Sequence, residues 1–269
     1  MKEWILYMQT RSSNRRTRSR ISKPGANSRQ ADLPLRGKVA LVTGGSRGIG
    51  LAIANGLAIR GATVVITGRD ERALAEAVAR LNKNGNIAVA RYCDVCNSES
   101  VAGLFLALKK QFKRLDILLN NAGIAGPASP IEKLSLDEWR EIIDTNLTGL
   151  FLVTKAALPL LKRGATIVNN LSISAKTAFP GMAAYNASKH GALGFTDTLR
   201  EELKPKGIRV VSLMPGATDT EIWEQFWPDA PRERMISRES IAEAVAMAVC
   251  LPENTSVTEI VIAPTAGAL

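Results

Sequence analysis

Histidine is almost absent from this chain of 269 residues: His190 is the only one, and the cysteines number three, Cys93, Cys96 and Cys250. An odd thiol count gives no disulfide framework and fits a reducing compartment. Cys-Asp-Val-Cys at 93 to 96 has the outline of a redox or zinc motif, yet no second cysteine pair exists to complete it. Cys93 reads instead as the end of a buried strand, and no metal site is expected. Long hydrophobic runs are missing as well. None approaches the roughly 18 to 20 apolar residues that a membrane span requires, so no membrane partner is expected. What remains is an ordinary soluble composition, 46% hydrophobic and 22% charged, enough for one α/β domain with a large core.

Acidic residues are scarce at the start of the chain. Residues 1–36 hold nine Lys and Arg against Glu3 and Asp32, so that segment carries +7 of the net +10 and the rest of the chain only +3. The basic character belongs to a leader at 1–35, which lacks any sustained apolar period and is expected to be disordered. The body, at 36–269, gives no reason to expect a nucleic-acid partner. The leader's one apolar stretch, Trp4 to Met8, precedes the basic cluster, the reverse of a secretory signal. Three readings of it stay open: an organellar transit peptide, a start placed upstream of the natural one, or a basic arm that contacts polyanions through residues 11–20. The body itself is expected in the cytoplasm.

From Arg36 onward, short apolar runs alternate with helical periods. Val39–Val42, Thr63–Thr67, Ile87–Tyr92, Ile117–Leu119, Thr166–Asn169, Arg209–Leu213 and Val257–Ile262 read as strands. Between them, 48–60, 71–82, 98–112, 136–161, 182–204 and 238–249 read as helices. Continuous apolar strands separated by such helices imply a doubly wound parallel sheet covered on both faces.

The first strand runs into Thr-Gly-Gly-Ser-Arg-Gly-Ile-Gly at 43 to 50 and then into a helix, the context that makes a glycine motif informative. Gly44, Gly48 and Gly50 permit a tight turn and close backbone approach, and a helix N-terminus offers unpaired N–H groups to a dinucleotide pyrophosphate. At the end of the second strand an NAD-preferring fold commonly carries an acid for the ribose diol. Here Arg69 follows Gly68, and a guanidinium suits a 2′-phosphate; Arg47 is within reach of the same group. NADP is the preferred cofactor. NAD stays open if Asp70 faces the ribose instead of capping the next helix.

Tyr185 and Lys189 stand four apart, one turn of a helix, so a phenol and an ammonium share a face. A positive charge beside a phenol favours the phenolate and is expected to lower its pKa.

Taken in order, the glycine loop, Asn-Asn-Ala-Gly at 120 to 123, Asn146, Ser172, Tyr185, Lys189 and Pro215-Gly216 closely resemble the short-chain dehydrogenase/reductase family over about residues 35–262. The resemblance implies a Rossmann sheet of about seven strands, hydride transfer between a nicotinamide and a carbonyl or alcohol carbon, and a homo-oligomer, commonly a tetramer. It makes Tyr185 the general acid and has Lys189 lower its pKa and hold the nicotinamide ribose. Ser172, thirteen residues before Tyr185, binds the carbonyl oxygen, with Ser174 as the neighbouring candidate. Asn146 holds a water beside Lys189. Ser46 and Ile49 belong to the phosphate loop. Asp94 and Val95 approach the adenine, Asn121, Ala122 and Gly123 line the adenosine side, and Thr218 and Thr220 reach the carboxamide or diphosphate.

The substrate implied is a small carbonyl or alcohol, as in an NADPH-dependent carbonyl reductase. Three alternatives stay open: a 3-oxoacyl-acyl-carrier-protein reductase, an NAD-dependent alcohol dehydrogenase and a non-catalytic dinucleotide sensor. The glycine-rich ending usual in the acyl-carrier reductases is replaced here by Ile-Ala-Pro-Thr-Ala-Gly-Ala-Leu. Trp223, Phe226 and Trp227 follow Pro215-Gly216 and read as a lid over an apolar substrate, or equally as anchors of a short helix. His190, Lys155 and Lys176 read as surface residues.

Overall fold

Each of the seven apolar runs becomes a strand, and all seven join one sheet. The computed structural model describes residues 33–225 and 227–267. Its strands are β1 (Val39–Thr43), β2 (Thr63–Gly68), β3 (Ile87–Tyr92), β4 (Leu115–Asn120), β5 (Leu161–Asn170), β6 (Arg209–Pro215) and β7 (Glu259–Ile262). They stand in the order β3-β2-β1-β4-β5-β6-β7, every neighbouring pair parallel. The helices are α1 (Gly48–Ala58), α2 (Glu71–Leu81), α3 (Ser98–Phe112), α4 (Leu136–Ile143), α5 (Gly149–Ala157), α6 (Ala183–Leu203) and α7 (Arg238–Cys250).

Both faces of the sheet are covered, which explains the apolar runs. Along β1, Ala40 and Val42 pack into one layer with Ile53 and Leu57 of α1, Leu74 of α2 and Val245 of α7. Val39 and Leu41 point the other way, into a layer with Leu104 of α3, Val153 of α5 and Leu199 of α6. Successive strand residues face opposite layers, so a strand sandwiched between helices must be apolar at every position.

Two boundaries differ from expectation. The helix expected over 136–161 is two helices, joined by a π-turn at Asp144–Thr148 in which the Gly149 N–H donates to the Asp144 carbonyl. Beyond Ala157 the chain leaves the helix ahead of Pro159 and enters β5 at Leu161. Leu35, counted with the leader, is buried in the α1 layer, and its N–H donates to the Arg60 carbonyl. Leader residues 1–32 lie outside the described residues, as does Phe226 of the expected lid. No helix among the described residues is long and apolar enough to cross a membrane.

Strand order reverses between β1 and β4, because chain order runs outward from β1 to β3 on one side and from β4 to β7 on the other. Ligands of such sheets bind outside the carboxyl ends of the strands at that reversal.

Candidate active site

At the end of β1 the backbone turns through Gly44, with φ +61°, and Gly48, with φ +55°, a region that favours glycine. A Cβ on Gly44 would stand 3.0 Å from the Ala122 Cα, so the loop touches the segment after β4 with backbone. Asp70, Asn97, Ser135 and Ser237 cap α2, α3, α4 and α7 with their side chains. At the N-terminus of α1, Arg47 supplies no such cap, and the first turn holds no acid. Ser46, Arg47, Gly48 and Ile49 thereby line the cleft at an uncapped, electropositive helix end. Gly50 lies behind the loop, not among the residues lining the cleft. A Cβ there would overlap the Gly44 carbonyl and the Asn121 amide, so its work is to let the loop fold onto its own helix.

The cleft measures about 910 Å³ and gathers the other expected cofactor residues: Gly44, Arg69, Asp94, Val95, Asn121, Ala122, Gly123, Pro215, Gly216, Thr218 and Thr220. Arg69 and Arg47 are exposed on its wall, and neither forms an ion pair among the described residues. Asp70 also reaches the cleft, but its Oδ1 accepts the Ala73 N–H at 3.0 Å and so caps α2. Thr218 and Thr220 donate their hydroxyls to the Gly216 and Thr218 carbonyls.

Tyr185 and Lys189 are one turn apart on α6, and Ser172 follows the end of β5. The Ser172 hydroxyl stands close enough to the Tyr185 phenol to act on its titration, while its own proton goes to the Ser174 Oγ at 3.2 Å. It also accepts the Ser174 N–H at 3.1 Å, which fixes its place at the start of a short helical turn. Lys189 is only 6% exposed. Its Nζ donates to the Asn170 carbonyl at 3.1 Å and lies 5.5 Å from the centre of the Tyr185 ring. One expectation is corrected here. Burial pushes the Tyr185 phenol up, with Ser172 pulling the other way, so burial outweighs the charge expected to lower it. The same burial pushes Lys189 down to about 8.

Asn146 stands beside Gly123 and Lys189. It lies outside the cleft, inside the π-turn, where its Oδ1 accepts the Ile124 N–H and its Nδ2 donates to the Ile124 carbonyl and to Ser188 Oγ, at 2.8, 2.8 and 3.0 Å. Both amide hydrogens are engaged by protein, so the side chain clamps the loop after Gly123 beside Lys189.

Sequence reasoning missed Asn170. Its carbonyl receives Lys189, while its Nδ2 donates to Asn121 Oδ1 at 2.8 Å. Asn121 in turn donates to the Thr43 and Gly44 carbonyls, both at 3.0 Å. One hydrogen-bond chain therefore joins the glycine loop to the buried lysine. Asn170 Oδ1 and Thr67 Oγ1 are buried on the cleft wall with no hydrogen-bond partner among the described residues. The cradle of glycine backbone and the uncapped helix end fit the phosphates of a dinucleotide, and the orphaned Asn170 Oδ1 and Thr67 hydroxyl suit its hydroxyl and amino groups. No motif signalled Asn170, since its role depends on β4 and β5 being neighbours.

Cys93 and Cys96 both reach the adenosine end of the cleft, and all three cysteines are free thiols. His190 is exposed, with Nδ1 on the Asn186 carbonyl. Lys176, expected to be solvated, pairs with Glu259 at 2.8 Å, and exposed Lys155 covers the Phe151 ring.

A pH test follows from Lys189. An unfolded lysine titrates near 10.5, whereas the buried one titrates at about 8. Below pH 8 the fold carries the full cost of a buried ammonium. Between about 8 and 10 the folded chain gives up this proton before the unfolded chain does, so stability rises with pH by something on the order of 2–3 kcal/mol. Tyr185, pushed up, opposes this only above its ordinary value of 10. Urea unfolding of wild type and Lys189→Met from pH 7 to 10 should show the difference between them narrowing or shifting in favour of wild type as pH rises. A pH-independent difference would mean that burial does not penalise Lys189.

Comparison with known proteins agrees with this geometry. The family model described as short chain dehydrogenase matches residues 38–231. A 3-oxoacyl-[acyl-carrier-protein] reductase of Synechocystis sp. is 40% identical over 195 residues, 71% of this chain and 78% of the relative. A 3beta-hydroxysteroid dehydrogenase of Mediterraneibacter gnavus is 38% identical over 193 residues, 71% of this chain and 70% of the relative. Among solved structures, a short chain dehydrogenase from Burkholderia cenocepacia in complex with NADP superposes with a TM-score of 0.79 at 33% identity, covering 86% of this chain and 98% of that one. With the sheet order, the glycine cradle and the Ser172, Tyr185 and Lys189 cluster in place, the chain belongs to the short-chain dehydrogenase family of oxidoreductases.

Proposed function

We propose that the protein is an NADPH-dependent carbonyl reductase that converts a ketone or aldehyde to an alcohol and runs the reverse oxidation when the alcohol is in excess. The observation that carries the reading is the gathering of Ser172, Tyr185 and, one helical turn on, the buried Lys189 ammonium on the wall of a cleft that begins at the glycine loop. A nicotinamide dinucleotide, when bound, supplies or accepts the hydride. Tyr185 holds the proton for the carbonyl oxygen, and its raised pKa keeps it in the donating form at neutral pH. Ser172 orients that oxygen and stabilises the charge developing on it. Lys189, kept in place by its tie to the Asn170 carbonyl, holds the nicotinamide ribose beside the phenol.

NADP is favoured over NAD by two facts: Arg47 and Arg69 stand unpaired on the cleft wall, and Asp70 is engaged as the α2 cap. The NADP or NADPH bound in related solved structures supports the same choice. The test is a fluorescence titration with NADPH and NADH. Wild type should bind NADPH more tightly. Arg69→Asp should lose about tenfold or more in NADPH affinity and approach parity with NADH, as expected for removing a charged hydrogen bond and adding a repulsive carboxylate. An unchanged preference would assign the 2′-phosphate to Arg47, and tighter NADH binding by wild type would make the protein an NAD-dependent alcohol dehydrogenase. Reduction of a 3-oxoacyl carrier is the second reading, supported by the Synechocystis relative, and dominant activity on acetoacetyl thioesters would put it first.

A further inference from the structure

We infer that the substrate is an uncharged ketone with a bulky apolar body, and that Trp227 at the mouth of the cleft sets this preference. The inference rests on the reductase reading and adds the chemical class of the substrate. Past the phenol, the cleft is walled by Phe179, Pro180 and Met182 from the segment before α6 and by Ile222, Trp223 and Trp227 from the segment after β6. The two tryptophan rings lie 6.2 Å apart at 60°. Trp223 is fixed, its Nε1 donating to the Thr218 carbonyl at 2.8 Å, whereas Trp227 is 43% exposed on the rim. A large exposed ring beside an apolar pocket is a surface that a ligand can cover.

The distribution of charge excludes an anion. Among the described residues, the charged side chains lining the cleft are Arg47, Arg69, Asp70, Asp94, Lys189 and Glu221. Arg47 and Arg69 belong to the glycine loop and the end of β2, and Lys189 is held under the Tyr185 ring on the Asn170 carbonyl. Of these lining charges, the one nearest the tryptophans in sequence is negative: Glu221, paired with Arg238 at 3.3 Å. A carboxylate or phosphate on the substrate would leave water for an apolar wall, where the described lining holds no cation to receive it and the arginines behind it, Arg232 and Arg238, are already paired with Asp219 and Glu221. A neutral body loses nothing by the same transfer. In the reaction the ketone gains a hydride at carbon from NADPH and a proton at oxygen from Tyr185, leaving an alcohol and NADP+, and the phenol recovers its proton from water.

The experiment compares methyl 4-acetylbenzoate with 4-acetylbenzoate, which share a skeleton and differ in charge. Two readouts are needed: quenching of tryptophan fluorescence in the enzyme with NADP+, and kcat/KM with NADPH. The ester should bind and react at least about tenfold better than the acid, the discrimination expected when a charge is desolvated without a partner. Trp227→Ala should raise KM for the ester several-fold with little change in kcat. Equal or better binding of the acid, or quenching by neither compound, would overturn the inference. Reduction of both compounds at equal efficiency would overturn it while leaving the reductase reading intact. Selective quenching by the ester, without reduction by NADPH or NADH, would support the apolar chamber and reject the reductase reading.

Discussion

Tyr185→Phe is expected to lower kcat for ketone reduction by about a thousandfold, within the usual range for removing a positioned proton donor, while NADPH binding stays within about threefold. The substitution keeps the ring against which Lys189 rests and removes only the hydroxyl that meets Ser172. The glycine loop and Arg69, the groups proposed to hold the cofactor, lie elsewhere in the cleft, and their contacts should persist. Single-turnover reduction, paired with a fluorescence titration, separates the two effects. Retention of a tenth of wild-type turnover would remove Tyr185 as the donor and require Ser172 or water to take that part. Ser172→Ala should also be severe. Ser174→Ala should be mild in comparison, because the Ser174 hydroxyl meets Ser172 and not the phenol.

How much of this was legible in the sequence depended on the range of the interactions. Local signals served well. The helix expected at 98–112 appears as Ser98–Phe112, because Asn97 caps one end and the apolar period runs unbroken to the other. Asp70 was ambiguous in the sequence, since an Asp before a helix can cap it or face a ligand, and only the fold shows the 3.0 Å bond from the Ala73 N–H. The π-turn at Asp144–Thr148 escaped because an apolar period continues through it. Its cause is tertiary: Asn146 reaches across to the Ile124 backbone, a partner 22 residues away. Asn170 escaped for the same reason, its partner Asn121 being 49 residues distant. The pKa of Tyr185 was misjudged in direction because spacing gives the distance between two side chains and says nothing of the solvent they lose.

Gly50→Ala should do more damage than its size suggests, and the same substitution elsewhere in the chain should do the opposite. In α1 a Cβ at position 50 would overlap the Gly44 carbonyl and the Asn121 amide, and the Asn121 Cγ would be 3.1 Å away. Backbone cannot swing aside as a long side chain can, so the glycine loop must shift or α1 must tilt, at a cost of about 1–3 kcal/mol. The displacement falls on the groups expected to hold the pyrophosphate, and through Asn121 and Asn170 it reaches the carbonyl that seats Lys189. NADPH affinity should fall by about tenfold or more together with the melting temperature. Gly103 offers the control: it sits exposed in the interior of α3 with no atom within 4 Å of an added Cβ. Gly103→Ala should therefore stabilise the protein by about 0.5–1 kcal/mol through helix propensity alone and leave NADPH binding unchanged. Thermal melts and NADPH titrations on both variants test the pair. Wild-type affinity in Gly50→Ala would mean that the close packing of the loop on its own helix is not what shapes the cofactor cradle.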